Sequence, residues 1–311
     1  MIKKRKKILV VLGGTSRERP VSLQTGKACI KAIKKLGYEV TAFDPAKKFF
    51  NEIDKSKVDI IFNALHGKDG EDGNAQSYFE YLKIPYTHSG VIASMNAMDK
   101  IISKSIFKKN KIRTPNFFVL KKLDFKKINF FKMIKKNNLN FPIVIKPSNE
   151  GSSIGVKICK NYKILRQEFK SLNKIYSILI FEQFIGGQEV QVAIMNGKSL
   201  GAIELVPKRK FYDYEAKYNS KAKTKHIIPV NLSKKNLDKI KRIANKAHQI
   251  IGCRGVSRSD FKYFKGKFYL LEINTQPGMT KLSLVPEIAN YAGISFIRLI
   301  EWILKDASIN R

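Results

Sequence analysis

A chain of 311 residues, 43% of them hydrophobic, is long enough for two or three domains and apolar enough to give each a core, which excludes a disordered chain. Its formal charge of +35 predicts polyanion adhesion at low salt, but the excess is mostly lysine spread end to end among many Asn and Ile residues, as AT-rich genes produce, whereas a dedicated nucleic-acid binder concentrates its charge and favours Arg on a recognition element. Three widely separated cysteines, Cys29, Cys159 and Cys253, show no CxxC spacing, which argues against a disulfide framework or a zinc site and suits a reducing cytoplasm.

The opening MIKKRKKILVVLGG has too short an apolar run, Ile8 to Leu12, for a signal peptide, and a buried strand over 7–12 is expected instead. No apolar run approaches the about 18 residues of a membrane span. A helix follows over 22–36 with Gly37 as its stop, then strands over 38–44 and 58–65, a helix over 74–82 and a short strand over 84–86. This alternation predicts a parallel sheet with helices on its faces, and ligands bind beyond the carboxyl ends of such strands. The Gly-rich segments GGTSRER (13–19) and HGKDGEDG (66–73) sit there. Either alone reads equally well as a tight turn; both at one edge favour a site.

From Met98 the pattern changes to that of a small α+β unit. Helices are expected over 99–109, 124–137 and 161–172, and strands over 116–120, 141–146, 154–159 and 176–184. Antiparallel strands follow over 189–195, 199–206, 253–264 and 268–275. A long helix over 233–251 ends at Gly252, and helices near 283–292 and 295–305 close the chain. Residues 207–226 read as a long polar insertion, which in a compact domain is usually functional or disordered.

Two patterns carry chemistry. In FYLLEINT, Glu272 and Asn274 lie two apart in a strand and share a face. Taking Lys265-Gly266-Lys267 as a three-residue turn puts Asp260 opposite Glu272 and Arg258 opposite Asn274. Such hard oxygen donors suit Mg²⁺ with substrate phosphates. A surface salt-bridge ladder is the plainer reading, but the apolar residues before Glu272 place the group in a cleft. The second pattern is KPSNEGSSIGV (146–156). It contains no GxxxxGK[ST] loop, yet Lys146 ends a buried strand and Gly151, Ser152, Ser153 and Gly155 are suited to a flap whose N–H groups meet phosphate oxygens. A flexible hairpin loop is the alternative. Lys100 is a second lysine near a helix start.

Together, the strand-end lysine, the Gly/Ser flap, the acidic exit strand FEQFIGGQE (181–189) and the late D…E-x-N cluster resemble the ATP-grasp carboxylate–amine ligases, and within them the D-alanine–D-alanine ligase family. The carrying stretches also include GGTSRER, ALHGKDGEDG (64–73), SMNAMDK (94–100), FYDYEAKY (211–218) and LLEINTQPGMTKLSL (270–284). Each is weak alone, but they run in family order over nearly the whole chain.

The resemblance implies α/β and α+β architecture: a parallel-sheet domain over 1–97, then two α+β subdomains, 98–185 and 186–311, gripping ATP between antiparallel sheets. It implies that Lys100 and Lys146 contact ATP phosphates, that Glu182, Gln183, Phe184 and Ile185 line the adenine edge, and that Glu189 meets the ribose. Asp260, Glu272 and Asn274 would hold two Mg²⁺ ions, or Mn²⁺. Glu18 would pair with the ammonium of a first D-alanine near His66, with Val21 facing its methyl group. Ser152 and Tyr218 would form a triad with Glu18. Lys217, Ser283 and Leu284 would surround a second D-alanine, and Arg258 with the Gly278 N–H would stabilise a tetrahedral oxyanion. A cytoplasmic homodimer with no membrane or specific nucleic-acid partner is expected. The other readings are a related ligase making D-alanyl-D-lactate, against which Tyr218 argues because such ligases tend to carry Phe there, and a basic nucleic-acid-binding protein. Three positions depart from the family pattern without removing a named group: Pro20, His88 where glycine is usual, and Ser259 where an apolar residue is common.

Overall fold

The computed structural model describes residues 6–122, 128–207, 224–280 and 282–311. Strands β1 (Lys7–Val11), β2 (Glu39–Phe43) and β3 (Ile60–Asn63) form a parallel sheet in the order β2-β1-β3. The central strand is buried on both faces, with Ile8 and Val10 in one core and Leu9 and Val11 in another, which explains its unbroken apolar run. Helix α1 (Arg19–Lys35) carries Pro20 in its first turn, where the missing N–H and fixed φ are harmless. Helix α2 (Asn74–Leu82) has the expected bounds. The strand expected over 84–86 shrinks to Tyr86, which bridges Ile61 and Ser308. Pro85 has a carbonyl for the Ile61 N–H but no N–H of its own to extend the ladder. Helix α3 (Val91–Met98), not expected from the sequence, follows.

Helix α4 (Lys100–Lys109) is capped by Asp99, whose carboxylate accepts from the N–H groups of Ile101 and Ile102 at 2.7 and 3.1 Å. It leads to an antiparallel sheet of β4 (Phe117–Lys121), β5 (Ile143–Pro147), β6 (Lys157–Cys159) and β7 (Ile178–Gln183), ordered β4-β7-β5-β6. Helices α5 (Phe130–Lys136) and α6 (Tyr162–Leu172) pack on it through Phe130, Phe169 and Phe181. Helix α5 starts later than the expected 124: Asn129 caps it, and residues 123–127 lie outside the described ones.

A second antiparallel sheet holds β8 (Gln188–Met195), β9 (Lys198–Val206), β10 (Lys225–Ile227), β11 (Val256–Phe264) and β12 (Lys267–Asn274), ordered β10-β9-β8-β11-β12. Strand β10 corrects the polar insertion: residues 225–226 pair with β9, and His226 bonds Glu287 at 2.6 Å. Helix α7 (Lys234–Ile251) covers one face of this sheet. On the other, α8 (Leu284–Tyr291) and α9 (Phe296–Lys305) join Ala193, Ile203 and Leu205 in one core with Ile8 of the first sheet and Ile33 of α1. That shared core fixes the first and last sheets against each other.

The β11–β12 hairpin reaches the expected register by a different route. Its turn has two residues, Lys265 and Gly266, both at positive φ, with Phe264 opposite Lys267. A bulge at Leu271 adds the missing residue, so Asp260 does lie opposite Glu272 and Arg258 opposite Asn274.

Candidate active site

Two clefts meet between the sheets. Glu18, His66, Ser152, Arg258, Gly278 and Ser283 line one; Lys146, Glu182, Phe184, Ile185, Glu189 and Lys262 line the other. Lys100, Asp260 and Glu272 belong to both.

The first cleft is built from the loops that end β1 and β3. Glu18 opens α1 and is 5% exposed. Its carboxylate accepts a hydrogen bond from the Ser152 hydroxyl, so the flap is drawn onto the N-terminal sheet. Ser152 and Ser153 both hold positive φ, 48° and 61°, which costs roughly 1–2 kcal/mol per residue. Gly67 and Gly151 press on the same carboxylate: a Cβ on either would lie 2.6 or 2.5 Å from Glu18 Oε2. His66 is held at both ring nitrogens, by Thr25 Oγ1 at 3.0 Å and by Glu71 at 3.3 Å. Opposite stands the loop after β12. Asn63 Nδ2 donates to Gln276 Oε1 at 2.7 Å, and the Gln276 N–H donates to Asn274 Oδ1 at 2.8 Å, tying β3 to the carboxylate strand. Ser283 is the N-cap of α8 but caps nothing with its side chain; its Oγ accepts from the Thr280 N–H at 2.9 Å. The first turn of α8 therefore keeps its N–H groups near the cleft, a setting that suits a carboxylate.

The second cleft rests on a buried chain of charges. Glu182 lies between Lys104 Nζ at 2.6 Å and Lys146 Nζ at 3.1 Å. Burial would raise its pKa, but the two ammonium groups outweigh burial and hold it below the usual carboxylate range. Burial pulls the Lys104 ammonium down to about 8 in spite of Glu182. Gln183 turns its amide onto the Asn140 backbone, accepting at 2.7 Å and donating at 3.1 Å, and so braces the exit of β7. Glu189 pairs with Lys262 at 2.9 Å. Lys100 Nζ donates to the Glu150 carbonyl at 2.6 Å and lies 3.5 Å from Glu272, joining the flap to the shared wall.

On that wall Arg258 grips Asp260 with two hydrogen bonds, 2.7 and 2.9 Å. Among the described residues no group of three or more His, Cys, Asp and Glu is placed to hold a metal. The set here is two carboxylates and an amide, Asp260, Glu272 and Asn274, on adjoining strands with no sulfur or imidazole. Such donors fit a hard divalent cation that takes its remaining ligands from phosphate and water.

Val21 is buried one turn into α1 and is not among the residues lining the cleft. Lys217 and Tyr218 lie outside the described residues. Leu284 lines the first cleft. Lys104, Glu71, Asn63 and Gln276 were not singled out by sequence. Lys104 has one legible signal, its place one turn after Lys100 on the same helix face. His88 takes φ +68°, which explains why glycine is usual there, and its ring packs edge-on against Phe62. Ser259 points to the other face of β11, and its buried hydroxyl has no hydrogen-bond partner.

Two antiparallel sheets facing each other across a cleft, with a glycine-rich flap and a carboxylate wall, define an ATP-grasp protein. A model of the D-ala D-ala ligase C-terminus matches residues 106–305, and one of the N-terminus matches residues 44–89. The chain is 64% identical over 308 residues to a D-alanine–D-alanine ligase of Pelagibacter ubique, covering 98% of this chain and 99% of that one. It is 43% identical to one from Agrobacterium fabrum, again covering 98% and 99%. The crystal structure of a D-alanine–D-alanine ligase from Bacillus anthracis complexed with ATP superposes with a TM-score of 0.84 at 31% identity over 97% of each chain. The chain belongs to the D-alanine–D-alanine ligase family.

Proposed function

We propose that this protein uses ATP to join two molecules of D-alanine into D-alanyl-D-alanine for peptidoglycan precursor synthesis. The observation that carries this is the shared wall: one cleft suited to an amino acid and one suited to a nucleotide meet at Lys100, Asp260 and Glu272.

The positions support the roles that the resemblance implies. Glu18, buried and oriented by Ser152, takes the ammonium of the first D-alanine, beside His66. Its carboxylate then faces the shared wall, where Lys100 and Lys146 hold the triphosphate. A carboxylate oxygen attacks the γ-phosphorus and ADP leaves, giving an acyl phosphate. Positioning and charge neutralisation do most of this work. Ser283 and the first turn of α8 hold the carboxylate of the second D-alanine, with Leu284 beside it. Its amine attacks the acyl carbon, and Arg258 with the Gly278 N–H stabilises the oxyanion before phosphate leaves. Asp260, Glu272 and Asn274 would hold the divalent cations, Mg²⁺ or Mn²⁺, which neutralise phosphate charge when bound. The 182–185 segment and Glu189 serve adenine and ribose; the roles expected of Lys217, beside the second D-alanine, and of Tyr218, in a triad with Glu18 and Ser152, fall outside the described residues.

We take 1–97, 98–185 and 186–311 as the three units. Exposed Tyr81 on α2 and Ile92 and Met95 on α3 support a homodimer through the N-terminal region. No described helix is long and apolar enough to cross a membrane. We take the enzyme to be cytoplasmic. The test is phosphate release and dipeptide formation from Mg·ATP and D-alanine, beside L-alanine and a mixture of D-alanine with D-lactate. Release and dipeptide with D-alanine alone, and neither with L-alanine, are expected. A depsipeptide from the mixture would favour the D-lactate ligase, and no release from protein that binds ATP would overturn the substrate.

A further inference from the structure

One polar group on the shared wall has no role in this reaction scheme. Gln191 on β8 lines the amino-acid cleft and is 1% exposed. Its Oε1 is buried and has no hydrogen-bond partner. The orientation of the amide is fixed: its NH₂ group donates to Glu189 Oε1 at 3.3 Å, and a carboxylate only accepts. The carbonyl oxygen must then point elsewhere. In the ladder, Gln191 lies directly opposite Asp260, and Asp260 lies directly opposite Glu272. Residues opposite one another in an antiparallel sheet share a face with Cβ atoms about 5 Å apart. Gln191, Asp260 and Glu272 therefore form a row of oxygen-bearing side chains across three strands.

A buried acceptor without a donor is destabilising and calls for an explanation. Its neighbours in the row are carboxylates, which cannot donate to it. A cation held by that row would solve this, because Mg²⁺ and Mn²⁺ keep several waters whose hydrogens need acceptors. We infer that Gln191 extends the cation site: its Oε1 accepts a hydrogen bond from a water on the cation that Asp260 and Glu272 hold. The inference rests on the cation reading of those two residues given above. Gln191 is thus a positioning residue for the hydrated ion. Groups in this outer position usually matter for metal affinity, typically tenfold to a hundredfold.

The experiment is Mn²⁺ binding followed by electron paramagnetic resonance, on the full chain with a non-hydrolysable ATP analogue. Wild type is compared with Gln191→Leu, Gln191→Met and Gln191→Glu, and each is also titrated with the analogue without metal. Thermal unfolding of the ligand-free proteins is recorded in parallel. The expected result is a tenfold or greater loss of Mn²⁺ affinity in the Leu and Met variants and near wild-type affinity in the Glu variant, which keeps an acceptor. Metal-free nucleotide binding stays unchanged. The ligand-free Leu or Met variant unfolds no lower than wild type, since an unpaired buried oxygen has been removed; a merely structural glutamine would lower it. Unchanged Mn²⁺ affinity overturns the inference. So does an equal loss of metal-free nucleotide binding, which assigns Gln191 to the nucleotide. Failure of wild type itself to bind Mn²⁺ with the analogue overturns the cation reading of Asp260 and Glu272, and this inference with it.

Discussion

Glu18 shows how tightly single residues are set in this site. Its carboxylate is bonded by Ser152 and crowded by two glycines, with room for no Cβ at Gly67 or Gly151. In Gly151→Ala the atom that must give way is the far end of the Glu18 side chain, so function suffers before stability does. We expect kcat/KM for D-alanine to fall about 10²-fold with an unfolding temperature close to wild type, measured by steady-state kinetics and calorimetry. A variant that melts early with normal kinetics would place the crowding in the fold alone. Arg258→Met removes the oxyanion donor and should lower kcat by about 10²–10³-fold, checked by turnover at saturating substrates.

At the scale of elements, the site is stitched between strands and one helix. Lys104 on α4 reaches Glu182 on β7, and Glu182 reaches Lys146 at the end of β5. Lys104→Met leaves Glu182 with one cation and should cost about 3–5 kcal/mol of stability, read by denaturant unfolding. The same chain predicts a pH effect. Lys104 loses its proton as pH rises through about 8, and Glu182 then draws on Lys146 alone. KM for ATP should therefore rise above that pH in wild type and be raised but flat in Lys104→Met. Much of this level was legible in the sequence, because alternation in FYLLEINT and the flap composition follow from backbone geometry. The hairpin register came out right although the turn was read one residue too long, since the bulge at Leu271 cancelled the error. Composition gives no sign of such a bulge. Lys104 was hidden for a different reason: in a chain with 60 Lys and Arg residues, even a lysine one turn after Lys100 does not stand out until its burial is seen.

Across the whole molecule, the first sheet and the C-terminal helices share a core, which places Glu18 over the carboxylate wall. Contacts so far apart in sequence, such as Asn63 with Gln276, leave no local pattern and were not foreseen. Burial also makes stability depend on pH on the acid side. Burial, with Arg311 and His66 adding to it, pushes His88 down to about 3, while an unfolded histidine titrates near 6.5. Between these values the unfolded chain takes up a proton that the folded chain refuses, so stability falls as pH drops through that window and is unaffected above it. His88→Asn, which tolerates positive φ and does not titrate, should flatten the slope of unfolding free energy between pH 4 and 6.5 by up to about 1.4 kcal/mol per pH unit. Denaturant titrations across that range measure it.

The most direct test of carboxylate activation by ATP is isotope transfer from D-alanine labelled with ¹⁸O in both carboxylate oxygens. One labelled oxygen should appear in each inorganic phosphate released, detected by mass spectrometry, because the attacking oxygen leaves with phosphorus when the amine displaces it. Phosphate formed with no label would show that the carboxylate never attacks the γ-phosphorus, and would contradict the acyl-phosphate route.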